Sequence, residues 1–271
     1  MFGINIFLDL TIRGGAKSIV YVSSINFFKD KTMKLFQKSL ITAALVLTAS
    51  SSFAGKAGEF YMSADAGKTS VDGLTDAAGT YTCGTITATV TKDDSDTGKG
   101  LSGGYYLTDN FAVEFGYQDL GEASESLSLG TGTCNSLIGT ITVTSAVTAS
   151  AKWKADGYKL GGLYNIPVND QLSIGLKGGL FKYDVDLTVS TTGGAGSLVS
   201  GGTTYTVSSG AGAINLNEDG SKAYFGLSAD YAFTKNTSLG LSYQRFNSIG
   251  GDNVGGSGDV TYTSANIKYV F

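Results

Sequence analysis

Phe111-Ala112-Val113-Glu114-Phe115-Gly116-Tyr117-Gln118 sets a large apolar side chain at every second position and a small or polar one between. Successive side chains of a strand point to opposite faces, so this period of two describes a strand with one greasy face and one polar face. Leu172, Ile174, Leu176 and Leu180 repeat the pattern opposite Ser173, Gly175, Lys177 and Gly179.

Outward from this stretch the alternation recurs, giving strands expected at 58–69, 97–108, 110–121, 151–167, 171–189, 220–234, 237–247 and 259–271. The number of segments is even, and each is about as long as the 9–11 residues that carry a tilted strand across a bilayer. Three connections are short Asn/Asp turns: Thr108-Asp109-Asn110, Val168-Asn169-Asp170 and Thr234-Lys235-Asn236. The other four, near 70–96, 122–150, 190–219 and 248–258, are long and rich in Gly, Ser and Thr.

Short and long connections alternate strictly, which puts every short turn on one side of a closed sheet and every long loop on the other. The fold class read from this is all-β: an eight-stranded antiparallel up-and-down transmembrane β-barrel, with short periplasmic turns and long extracellular loops. Closure satisfies every backbone group, as a sheet in lipid requires.

A secreted β-sandwich also alternates. Two features oppose it. Aromatics cluster near the ends of the outward sets (Phe60, Tyr105, Phe111, Tyr117, Tyr158, Tyr164, Phe233, Tyr243, Tyr269, Phe271), as interfacial girdles require, and the opposite faces read as too polar and glycine-rich for a sandwich core.

Composition narrows the function. With 39 glycines, one proline and abundant Tyr and Phe, the chain is too apolar and aromatic to stay disordered. The net charge of −4, with no basic block beyond residue 54, opposes nucleic-acid binding. No histidine is present, which removes the usual general base and the commonest metal ligand; the chain reads as a non-enzyme with no cofactor.

An export signal precedes the strands. Met33, Lys34 and Lys38 supply a positive start, Leu40 to Ala49 an apolar run too short to span a bilayer as a helix, and Ser52-Phe53-Ala54 a small-residue site, so cleavage is expected after Ala54. The organisation expected is therefore a non-structural upstream extension over 1–32, a signal peptide over 33–54 and the barrel over 55–271.

Leu101 to Tyr117 (LSGGYYLTDNFAVEFGY), Tyr224 to Tyr243 (YFGLSADYAFTKNTSLGLSY) and the ending Ile267-Lys268-Tyr269-Val270-Phe271 resemble strands of the outer membrane protein A family. The resemblance implies a bacterial outer-membrane barrel without the periplasmic peptidoglycan-binding domain of full-length members. It also implies that Tyr269 and Phe271 signal to the barrel-assembly machinery. Gly240 stands where the founding member has an inward arginine, so that member's gating salt bridge does not carry over intact.

By parity, Asp65, Glu114, Lys159, Lys177, Asp230 and Lys268 point into the lumen, where three acids and three bases are expected to pair and plug it. Cys83 and Cys134 lie in the first two long loops. A bridge between them would close a segment of about 50 residues, stabilising by roughly 4 kcal/mol in the chain-entropy model; two free thiols are the alternative.

Other motif matches lead nowhere. Gly100-Leu101-Ser102-Gly103-Gly104 fits a nucleophile elbow but lies inside a strand with no histidine to activate the serine. Gly98-Lys99-Gly100 lacks the rest of a phosphate-binding loop. Asp252, Asn253 and Asp259 match no calcium-loop spacing and read as an ordinary turn.

The function expected is that of a structural and surface-interaction barrel in outer-membrane lipid, a monomer whose Gly/Ser/Thr loops meet extracellular ligands. The alternative is a minor channel for small or hydrophobic solutes. The two differ only in whether the lumen network parts.

Overall fold

The computed structural model describes residues 55–72, 78–136, 139–200 and 203–271; the expected upstream extension, signal peptide and cleavage site lie outside them. Among the described residues twelve strands form one antiparallel sheet. They are β1 Phe60–Asp72, β2 Gly79–Cys83, β3 Ile86–Asp93, β4 Ser95–Tyr106, β5 Phe111–Leu129, β6 Gly132–Ser136, β7 Gly139–Pro167, β8 Leu172–Ser200, β9 Thr203–Val207, β10 Gly210–Ala232, β11 Thr237–Gly251 and β12 Gly256–Val270.

The pairing runs β1 to β4, β5, β7, β8, β10, β11 and β12, and β12 pairs back onto β1. This circuit leaves no free edge along its common length. Phe271 N donates to Phe60 O (2.8 Å) at the seam, and Asn236 Nδ2 donates to Val270 O (2.6 Å).

The three short turns share a device. The Oγ1 of Thr108 and of Thr234 accept the backbone N–H three residues on, from Phe111 (3.0 Å) and Thr237 (2.9 Å), and Asn169 Oδ1 does the same for Leu172 (2.8 Å). Side-chain acceptors of this kind fix a tight reversal locally.

Burial is inverted relative to a water-soluble sheet protein. Phe115, Leu160, Leu176, Leu180, Leu227, Leu239, Leu241 and Ile267 are exposed on the outside, together with all ten aromatics assigned above to the girdles. Glu114, Lys159, Gln118, Gln244 and Asp230 are buried inside. A surface this apolar, over an interior that holds buried charges and amides, is stable only where lipid replaces water outside.

The long connections differ from the expected loops. Residues 86–93, 120–129, 139–150, 190–200 and 210–219 lie within strands that continue the ladder beyond the ring. Their Gly, Ser and Thr side chains carry little apolar alternation. The strands persist because each backbone finds a neighbouring one to bond to. One bulge, between Asp119 and Glu122, turns on Gly121 at φ 77, a conformation that favours glycine.

Cys83 and Cys134 are joined by a disulfide, with Cα atoms 5.2 Å apart. Beside it Thr133 N donates to Thr85 Oγ1 (2.8 Å) and Thr85 N to Thr133 O (2.9 Å). The first two long connections are therefore held to each other.

Candidate functional site

The chemistry the chain could perform is decided in the interior of the ring, which is filled in three layers. Nearest the short turns, Tyr61, Tyr106, Ala112 and Leu163 pack together. A cavity of about 20 Å³ lies there between Tyr106, Asn165, Leu172, Asp230 and Lys268, room for little more than one water molecule.

The middle layer is polar. Lys177 Nζ on β8 lies 3.1 Å from Glu114 Oε2 on β5, and the same oxygen accepts a hydrogen bond from Tyr61 on β1 (2.8 Å). Lys268 Nζ lies 3.4 Å from Asp230 Oδ2 and 5.5 Å from the centre of the Tyr61 ring, and Ser228 donates to the same Asp230 oxygen (3.0 Å). Glu114, Asp230 and Lys268 are thus buried with an opposite charge and a further polar or aromatic partner, and Lys177 is half-buried against Glu114, the condition under which buried ions persist.

Among the described residues the remaining two expected charges have no ion-pair partner. Lys159 donates to Gln118 (2.8 Å) and Gln244 (3.3 Å) with no carboxylate in ion-pair reach, and Asp65 accepts from Tyr262 (2.7 Å). Two acid–base pairs form where three were expected. Neutral amides and a phenol take the third place because they sit on the neighbouring inward positions and supply the required donors and acceptors at contact distance.

The layer toward the long connections is apolar, contrary to the polar inner face read from the sequence. Leu120, Trp153, Phe181, Val185, Phe246, Ile249, Val254 and Val260 form one buried cluster there, with the Phe181 and Phe246 rings 4.8 Å apart. Val254 enters it from a 3-10 turn over Asp252–Val254, the segment weighed above as a calcium loop, while Asp259 is held by Arg245. Ile249 and Val254 lie past the strand windows where parity was read, whereas the other six fall toward the ends of those windows on the long-connection side.

Sequence reasoning missed Tyr61, Gln118, Gln244 and Tyr262 as interior residues. The signal was present in their parity, but they carry no charge to draw attention. Glycines complete the fit: a Cβ on Gly104 would enter the Tyr61 ring, and one on Gly100 would meet Gln118 and Asp65.

A closed sheet with an apolar outer face and charged side chains buried inside defines the class as an outer-membrane β-barrel. The sequence profile of the OmpA-like transmembrane domain matches residues 55–271, and the chain belongs to that family. Its place is the bacterial outer membrane.

No curated protein matches the chain in sequence. Solved structures of similar fold include the attachment invasion locus protein Ail of Yersinia pestis, at 13% identity and TM-score 0.40 over 79% of this chain and 99% of that one. The outer membrane protein OprG of Pseudomonas aeruginosa matches at 16% identity and TM-score 0.40, over 81% of this chain and 99% of that one. The N-terminal β-barrel domain of OprF from the same organism matches at 12% identity and TM-score 0.36, over 80% and 100%.

Proposed function

We propose that the protein is an eight-stranded transmembrane barrel with a plugged lumen, a structural and surface-interaction protein rather than a channel or an enzyme. The short turns face the periplasm and the extended hairpins stand outside the cell, the asymmetry expected of this architecture. In this reading residues 33–54 direct export, cleavage after Ala54 releases the mature chain, and Tyr269 and Phe271 mark it for the assembly machinery.

The observation that carries the reading is the stacking of Glu114–Lys177 and Asp230–Lys268 beneath the Phe181–Phe246 cluster. Ions cannot cross an apolar layer without shedding water, and interior charges held by ion pairs, amides and a phenol are already engaged rather than free to replace that water. Function then passes to the hairpins, which are displayed on a rigid support.

Planar-bilayer conductance of the mature chain from Gly55, with and without Glu114→Ala, tests this. Silence from both supports the plugged barrel. Stable unitary steps from the unaltered chain would make it a channel with the lumen charges as its selectivity site.

A further inference from the structure

Above the ring, β8 is the one strand among the described residues that pairs with β10, and the 3-10 turn over Asp252–Val254 lies beside it at Glu218, which accepts Asn253 N (3.0 Å). β10 pairs with β8 from Gly210 to Tyr231, but with β11 only from Tyr224 onward. Every residue from Gly210 to Asn217 is exposed.

The bonding parity of this free edge follows from its register. Ala232 N donates to Gln171 O (2.8 Å), and the β8 pairing runs without a shift to Gly210 opposite Gly193. Even-numbered residues of β10 therefore bond to β8. Ala211, Ala213, Asn215, Asn217 and Asp219 turn their backbone N–H and C=O away from it, toward the side where no strand pairs among the described residues.

Native edges are ordinarily blunted by lysine, proline or bulges. From Gly210 to Asn217 this one has none of them, and Ile214 and Leu216 stand 61% and 41% exposed on its inner face. Charge points to the occupant. Asp156, Asp184 and Asp219 lie directly opposite one another on β7, β8 and β10, and like charges in register repel. A basic residue on a strand added beyond Asp219 would relieve that row.

We propose that this edge is a docking site for an extended segment of another protein, added antiparallel to β10. The segment carries a basic residue at its N-terminal end, beside Asp219, and apolar residues against Leu216 and Ile214. Main-chain bonds supply affinity and the alternate side chains specificity, as in other strand additions. The site deepens the surface-interaction role and rests on it, since the β10 edge meets an extracellular partner only when the long connections stand outside the cell.

The probe is a capped peptide, Lys-Thr-Thr-Val-Thr-Val-Thr, added in millimolar excess to the refolded mature chain while amide exchange is followed. Without peptide, Ala211, Ala213, Asn215 and Asn217 should exchange at least tenfold faster than Gly212, Ile214 and Leu216; with it, Ala213, Asn215 and Asn217, the three it lies opposite, should slow at least tenfold. Asn215→Pro should abolish the slowing while Ile214 and Leu216 stay protected, because the lost N–H faced the free edge, and Asn215→Ala should retain it.

Unchanged exchange, equal slowing by the peptide N-methylated at alternate residues, or prior protection of the four amides would overturn the proposal. Conductance reads the lumen and exchange reads the edge. A silent barrel with an inert edge and a conducting barrel with a binding edge are therefore told apart.

Discussion

Glu114 and Lys177 meet across the interior at 3.1 Å although 63 residues separate them and β7 lies between their strands. The contact spans the ring rather than joining neighbours. It ties three strands together once Tyr61 of β1 is counted.

Removing one member of a buried pair leaves the other charge uncompensated, which costs about 3–5 kcal/mol. Glu114→Gln should therefore lower stability by that order in urea titrations of the vesicle-reconstituted protein. Adding Lys177→Met should recover part of the loss, because the orphaned charge goes with it. Additive losses would show that the pair is not coupled.

Two neighbouring glycines differ in what surrounds them. Gly104 faces inward, where a Cβ would enter the Tyr61 ring, whereas Gly103 faces outward with Tyr61 O at 3.7 Å. Gly104→Ala should destabilise by about 1–3 kcal/mol through overpacking. Gly103→Ala should change the unfolding midpoint little, and equal effects would argue against an inward Tyr61.

The Cys83–Cys134 disulfide lies outside the ring, with a sequence separation of 51. Its loss should loosen the first two connections, by up to about 4 kcal/mol of local stability, while the barrel persists. Limited proteolysis of Cys83→Ser/Cys134→Ser should cut faster near residues 79–143 and leave the heat-modifiable gel mobility of the folded barrel unchanged.

Leu241 and Ile214 are both strongly exposed, at 67% and 61%. Leu241 faces lipid in this account and Ile214 faces water. Leu241→Arg should cost about 2–4 kcal/mol and Ile214→Arg less than about 0.5. Comparable costs in a vesicle-folding assay would contradict the placement of the bilayer.

The membrane-crossing strands were legible because their physical constraint is strong: Phe111 to Gln118 must offer lipid one face and the lumen the other. The turns at Thr108, Asn169 and Thr234 were legible for the same local reason. The strands beyond the ring were not, since residues such as Thr191 to Ser197 owe their conformation to the neighbouring backbone rather than to their own pattern. Within the lumen, charge marked Glu114 and Lys177, while Gln118 and Gln244 emerged only once the register brought them to Lys159. The bulge at Gly121 also shifts parity along β5, so Ala123 could not be set inside from spacing alone.

The central claim is that two stacked layers close the lumen, one paired and polar, one apolar. Single-channel recording in planar bilayers tests it most directly, using the unaltered chain, Glu114→Ala, Phe246→Ala and the double variant. The account predicts silence from the unaltered chain and both single variants, and unitary steps only when both layers are breached. Steps from the unaltered chain, or from either single variant, would contradict it.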